Sequence, residues 1–426
     1  MPDLTATEVA VLDAVDHAEI VRDLVELVAI ASVDGASEER EAQLWCADRL
    51  RDLGLDVDCW EIDIAEAQRQ PDFPGMEVDR DSALGCVAVL GSETGETPAL
   101  ALYGHTDVVP PGDLNLWDNR DPFAVFIDGE GRAWGRGTCD MKGGVVASIA
   151  AAAAVRRSGV SLARPLAIHT VSGEEDGGFG AYATLRRGHR ADACINAEPT
   201  SDTIITACAG ALTFQLEVPG LAAHGSTRTI GVSAIDKFAL IHRALRDLEA
   251  RRNIDVPPLF EHLDLAWPLS IGTVSSGDWA STVPDRLVAT GRYGVRIDEL
   301  LPDAIHTFEN AVAAACADDP WLREHPVTVS WPGGMFAPGS LPDGHELLEQ
   351  VRRAVNDVTG TAPSPFGGPY GSDLRHYAAV GIPTLQYGPG SFRHAHTVDE
   401  QVRLDDVSAC ARVYALMAVR SCGTTS

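Results

Sequence analysis

KGGVVASIAAAAAVRRSGVSLARPLAIHTV, residues 142–171, holds a helix and a strand in succession. The alanine-rich run from Lys142 to Ser158 has high helix propensity, and Gly159 closes it. PLAIHTV (165–171) is a short continuous apolar run of the kind that forms a strand covered on both faces. CVAVLG (86–91), ALALYG (99–104) and ACINAE (193–198) have the same character. Strands alternating with helices predict an α/β fold: a mostly parallel sheet with helices on both faces. Ahead of them, apolar residues at helical spacing (Ile20, Leu24, Leu27, Val28) predict helices between Asp16 and Leu53, the second closed by Gly54.

The pattern changes near residue 209. ALTFQLEV (211–218), LSIGTVSSG (269–277) and RLVATGRYGV (286–295) alternate like half-exposed strands. SAIDKFALIHRALRDLEAR (233–251) is an amphipathic helix, and a helix at 302–317 and a strand VTVSW (327–331) follow. This is an α+β unit: an antiparallel sheet with two helices. HELLEQVRRAV (345–355) and GIPTLQYGPG (381–390) then return to helix and buried strand. The expected division is a discontinuous domain of 1–208 and 333–426, interrupted by an inserted domain of 209–332.

The 426 residues suit two or three domains and a large core. The formal charge, 33 − 62 = −29, opposes phosphate backbones and anionic lipid surfaces, so neither nucleic acid nor membrane is an expected partner. No run of about 18 apolar residues is expected to cross a bilayer, and the first ten residues lack a secretory pattern. Nine dispersed cysteines without a CxxC pair suit a reducing compartment, and the cytoplasm is the expected location.

Five polar segments follow the buried strands, where open α/β sheets bind ligands. They are Gly104-His105-Thr106-Asp107, the glycine-rich run 134–144 around Asp140, Ser172–Gly178 with Glu174, Glu175 and Asp176, Asn196–Thr200 with Glu198, and the run 388–400 with His394 and His396. Taken singly, each has an ordinary reading. Asp140 suits a helix cap, and three adjacent acids suit a solvated loop. Two carboxylates about 4 Å apart repel by roughly 4 kcal/mol at an effective dielectric of 20. Gathered at one sheet edge, these carboxylates therefore need positive charge, which a divalent metal pair supplies. Mixed histidine and carboxylate ligands suit zinc, cobalt or manganese.

GHTDVVPPG (104–112), W...DPF (117–123), GRGTCDMKGG (135–144), SGEEDGG (172–178), NAEPT (196–200), AAHGS (222–226) and GPG…AHTVDE (388–400) run in one order along the chain. In these motifs the sequence resembles the dinuclear-metal amidohydrolases that include acetylornithine deacetylase, succinyl-diaminopimelate desuccinylase, aminoacylase and carboxypeptidase G. The resemblance implies that His105 and Glu198 hold one metal, Glu175 and His396 the other, and Asp140 bridges them. It makes Glu174 the general base toward a water held between the metals, with Asp107 orienting His105. It selects His396 over His394, because the family's histidine precedes the T-x-D-E ending. It implies a non-proline cis peptide at Asp140-Met141. His224 in the inserted domain would reach a neighbouring subunit's site and stabilise the oxyanion, which makes a homodimer through that domain the expected assembly. Arg292, Ser372, Asp373, Arg375 and Gly390 match substrate-side positions.

The expected cofactor is two divalent ions per chain, zinc first, with cobalt or manganese as substitutes. The expected substrate is a small molecule, an N-acylated amino acid or related small acid, cleaved at its C–N bond. The alternatives are a hydrolase of carbamoyl, formyl or aromatic-amine substrates on the same scaffold, or a non-catalytic binding module. Thr282 stands where many relatives carry Asn, and the segment 65–84 is long for its place, two features that bear on substrate choice and access.

Overall fold

The computed structural model describes residues 4–91, 95–118 and 120–425. The chain forms two compact units. The first contains the chain through Ala207, Ser340–Phe366 and everything from Asp373 onward; the second contains Cys208–Gly339 and Gly367–Ser372. The return to the first unit thus falls at 339/340 instead of 332/333, because the short strand Met335–Phe336 still pairs with Gly210–Pro219. A second, shorter excursion at 367–372 has no precedent in the sequence pattern. Gly367 lies so close to Phe260, and Gly371 to Phe336, that a Cβ on either would stand 2.5 Å from that phenylalanine's side chain.

The sheet of the first unit runs in the order Asp56–Glu61, Leu84–Leu90, Leu166–Val171, Leu100–His105, Cys194–Asn196, Thr384–Gln386, Ile204–Cys208. Its four central strands are mutually parallel. The flanking pairings are antiparallel, so the sheet is mixed, with a parallel centre. Leu84–Leu90 is buried almost throughout and therefore reads like a parallel strand although it is not one.

The helix Gly143–Arg157 is buried along nearly its whole length, against Leu404–Cys422 among others. Contrary to expectation, the segment Thr138–Arg157 is long and apolar enough to cross a bilayer, with mean hydropathy 1.3, but 94% of it is buried inside the fold. Its alanines bring backbones close together. A Cβ on Gly144 would lie 2.1 Å from the Ala197 carbonyl oxygen, so only glycine lets the helix start press against the Cys194–Asn196 strand end. Asp140, just before the helix, and Glu198, just after the strand, then both lie within 4 Å of His105 Nε2.

In the second unit, Leu269–Ser276, Arg286–Val295, Gly210–Pro219 and Thr328–Ser330 form an antiparallel sheet in that order. Helices Ala234–Arg252 and Leu301–Asp318 close its core, where Phe214, Leu216, Ile241, Leu245 and Phe308 are fully buried.

Candidate metal centre

His105 ends the strand Leu100–His105 and is 1% exposed. Its Nδ1–H donates to the Asp107 carbonyl at 3.0 Å, and a carbonyl only accepts, so the tautomer is fixed. Nε2 then directs a lone pair at Asp140 Oδ1, 3.2 Å away, and at Glu198 Oε1, 3.9 Å away. Three acceptors facing one another require a proton or a cation between them. Burial opposes charge on His105, yet Asp107, Asp140 and Glu198 raise its pKa well above the usual histidine value. The Asp107 carboxylate does not itself orient His105: its nearer oxygen is 3.7 Å from Nδ1. It accepts the Glu175 backbone N–H at 3.1 Å instead and so positions the acidic turn.

Asp140 lies in an irregular turn, Thr138–Lys142, with a cis peptide bond to Met141. It is not a helix cap, since the helix begins at Gly143 and Lys142 occupies the cap position. Burial alone would raise the Asp140 carboxyl, but the neighbouring His105 and His396 imidazoles outweigh it and hold the group below the usual carboxylate range. His396 Nε2 is 3.5 Å from Asp140 Oδ2 and 3.0 Å from Glu175 Oε1. Glu175, then burial in the opposite sense, then Asp140 set its pKa at about 11. His396 has φ +62°, a left-handed conformation uncommon for a side-chain-bearing residue. Among the described residues, His394 makes hydrogen bonds only through its backbone.

Glu174 and Glu198 are both buried, and their pKa values are raised well above normal by burial first. Asp373 and Glu198 add repulsion at Glu174; at Glu198, attraction to His105 is set against repulsion from Asp140. Glu174 Oε1 accepts the Asp373 backbone N–H at 3.2 Å. Among the described residues, His105, Asp140 and Glu175 form one group, and His105, Glu174 and Glu198 another, with ligand atoms within 4.8 Å of one another. His105 and four acids packed this tightly fit divalent metal, because a cation relieves both the facing lone pairs and the carboxylate repulsion.

Asp373 and Arg375 are buried behind the acidic turn. The Asp373 carboxylate accepts the Tyr103 hydroxyl, and Arg375 Nη2 donates to the Gly177 carbonyl at 2.6 Å. Both therefore brace the Glu174 loop. Gly390 has φ +86° and its carbonyl accepts the Ser201 N–H at 2.9 Å. Ser372 belongs to the second unit and is buried there. His224, also in that unit, is exposed; its Nδ1 lies 2.7 Å from Ser226 Oγ, and its backbone pairs with that of Thr282. Arg292 donates to Thr213 Oγ1 at 2.7 Å and lies over the Phe336 ring.

Two supporting residues escaped the sequence reading. Glu400 is fully buried, and its Oε1 accepts three backbone N–H groups: Gly137 at 2.9 Å, Cys139 at 3.1 Å and Asp140 at 3.0 Å. Arg136 completes the site from the other oxygen. The small sheet of Gln401–Arg403, Arg132–Trp134 and Phe126–Ile127 brings Glu400 there. The acid four residues after His396 was its only signal. Arg80 is the other. It comes from the long segment 65–84, and its side chain is 1% exposed. It bonds Asp34 at 2.9 Å, Glu39 at 2.7 Å and Asp176, and so fastens that segment onto the acidic turn. Gly75 backs the contact, since a Cβ on Gly177 would lie 2.3 Å from its carbonyl oxygen.

The model of peptidase family M20/M25/M40 matches residues 101–420. Over 397 residues the chain is 27% identical to an N-formyl-4-amino-5-aminomethyl-2-methylpyrimidine deformylase of Bacillus subtilis, covering 86% of this chain and 85% of the relative. Over 348 residues it is 31% identical to a succinyl-diaminopimelate desuccinylase of Gluconacetobacter diazotrophicus, covering 76% and 82%. The fold matches the crystal structure of the M20 family metallo-carboxypeptidase Sso-CP2 from Sulfolobus solfataricus with a TM-score of 0.71 at 16% identity, covering 95% of this chain and 99% of that one.

Proposed function

This chain belongs to peptidase family M20/M25/M40, and from that premise we propose that it is a metal-dependent hydrolase of the amide C–N bond of a small N-acylated amino acid or related small acid. The observation that carries the reading is the meeting of His105, Asp140, Glu174, Glu175, Glu198 and His396 at the carboxyl ends of the parallel strands. His105 and Glu198 would hold one divalent ion, Glu175 and His396 the other, with Asp140 between. Bound there, the ions, zinc foremost, would polarise the scissile carbonyl and bring the pKa of water toward about 7.

Glu174 is placed to take the proton of the attacking water and to return it to the leaving amine. The Asp373 N–H donates to its Oε1 at 3.2 Å and fixes the carboxylate's direction. Asp107, through its carbonyl and its carboxylate, holds His105 and the Glu175 backbone in register. A deformylase among the relatives favours a formyl group as the second acyl reading.

The assembly belonging to this reading is a homodimer through the second unit, with His224 serving the partner's site and Arg292 and Ser372 the substrate's acid. The sheet-edge strand Leu269–Ser276 and the exposed apolar side chains of Ile235, Val274 and Trp279 support it. The nine cysteines, free in this structure, support a cytoplasmic setting.

The test is Glu174→Gln. Elemental analysis should still find close to two divalent ions per chain, and turnover should fall by about 10²–10⁴-fold. Wild-type turnover would reject Glu174 as the base, and loss of metal would make it a ligand.

A further inference from the structure

Cys59 and Cys86 lie directly opposite each other on the antiparallel strands Asp56–Glu61 and Leu84–Leu90. The kind of pair they make follows from the ladder. Ile62 N–H donates to the Ala83 carbonyl at 2.9 Å, and the register continued one step places these two residues opposite each other. Hydrogen-bonded and non-hydrogen-bonded pairs alternate in such a ladder. Trp60 and Gly85 are therefore the next bonded pair, and Cys59 and Cys86 a non-bonded one. In non-bonded pairs the Cα atoms are about 4.5 Å apart and the side chains stand closest, inside the roughly 4.4–6.8 Å that a disulfide spans.

The two thiols are unequal. Cys86 is fully buried, and its thiol is pushed up by the hydrogen bond with Cys59 and by burial. Cys59 is half-buried on the outermost strand of the sheet. Its hydrogen bond with Cys86 lowers it to about 6 against the effect of burial, with help from Arg51 and Arg40 on the neighbouring helix. Both arginines also carry exposed acidic partners, Asp48 and Glu61. Cys46 faces the same pair from that helix, fully buried, its thiol raised to about 12 by burial.

We propose that Cys59 and Cys86 form a peroxide-sensitive dithiol that closes into a cross-strand disulfide, a modification site separate from the metal centre. The Cys59 thiolate attacks a peroxide oxygen: an S–O bond forms, the O–O bond breaks and hydroxide leaves. The Cys86 sulfur then attacks the Cys59 sulfenic acid: the S–S bond forms, the S–O bond breaks and the oxygen leaves as water. Two thiols are oxidised and one hydrogen peroxide is reduced to two waters. A dithiol reductant reverses the change. Cys59 is the entry point because it alone of the pair is partly exposed and partly ionised, and Cys86 resolves the sulfenic acid because the ladder holds it opposite.

The experiment treats the full chain with hydrogen peroxide, denatures it in acid, alkylates the remaining thiols and maps the peptides. Wild type should lose two of its nine alkylatable thiols to a Cys59–Cys86 linkage that dithiothreitol reverses. Cys59 should react about tenfold faster than any other cysteine. Cys86→Ser should stop at a Cys59 sulfenic acid that dimedone captures, and Cys59→Ser should leave Cys86 alkylatable. Circular dichroism checks that both variants are folded. In wild type, a Cys46–Cys86 linkage, accumulation of a Cys59 sulfenic or sulfinic acid, or nine alkylatable thiols at doses that oxidise Cys59 in Cys86→Ser would each overturn the proposal.

Discussion

Glu400→Gln is a substitution of one oxygen by one nitrogen, and the structure assigns it a large cost. The carboxylate has no exposure to water, its Oε1 accepts three backbone N–H groups and its Oε2 faces Arg136. Glutamine can keep the carbonyl oxygen toward the three N–H groups. Its NH2 then turns to the Arg136 guanidinium, donor against donor, and the buried charge loses its partner. Breaking a buried pair in this way costs about 3–5 kcal/mol. Glu400→Ala also orphans the three N–H groups at roughly 1–3 kcal/mol each. The sum then approaches the whole stability of a typical fold, about 5–15 kcal/mol. The assay is urea unfolding read by tryptophan fluorescence, with Trp117 stacked on Arg136 as a local reporter. Glu400→Gln should fold with its unfolding free energy lowered by that amount and bind metal more weakly, because the Asp140 N–H is one of the three anchors. Glu400→Ala should not accumulate as folded protein. Arg136→Met combined with Glu400→Gln should cost less than the two changes added, since they share one interaction. A Glu400→Gln protein within about 1 kcal/mol of wild type, with full metal content, would show that the Glu400–Arg136 pair does not hold the Asp140 turn.

Arg80→Met leaves Asp34, Glu39 and Asp176 without their shared cation, so limited proteolysis should cut the 65–84 segment sooner and kcat should drop at least about tenfold; unchanged proteolysis would show that the guanidinium does not fasten the loop. His169 is buried beside the Tyr377 hydroxyl, and burial lowers its pKa to about 3. The unfolded chain binds that proton below about 6.5 and the folded chain does not. The neutral form's stability is thus complete above pH 6.5 and lost as pH falls toward 3, by about 1.4 kcal/mol per unit. Urea midpoints of His169→Gln should fall less steeply than wild type over that window, and parallel curves would contradict the assignment. His224→Ala should lower kcat with metal content intact, and mixing it with Glu174→Gln under subunit exchange should restore activity; no restoration despite exchange would place His224 outside the partner's site.

The alternation of buried strands and helices was legible because burial on both faces leaves continuous apolar runs, as in PLAIHTV (165–171). Strand direction was not legible. Leu84–Leu90 is equally apolar but antiparallel, because its neighbours are set by chain return and not by its own residues. The candidate site was legible for a related reason: metal-type residues fall immediately after those runs, so one sheet edge collects them. The support around them was hidden. Glu400 is one acid among 62 Asp and Glu, and nothing local marks it as the acceptor of three N–H groups. In the sequence Asp107 stands out for its carboxylate, whereas its carbonyl holds the imidazole. Gly367–Ser372 gave no sign of leaving the first unit, because a six-residue excursion carries no periodicity.

The most direct test of the central claim is amine release by the purified, metal-loaded protein from a panel of N-acetyl, N-succinyl and N-formyl amino acids, ureido acids and amino-aromatics. The protein should release amine from at least one N-acylated amino acid or related small acid, and this release should be abolished by chelation and restored by zinc, cobalt or manganese. Turnover confined to ureido or aromatic-amine substrates, or release that chelation leaves unchanged, would contradict the claim.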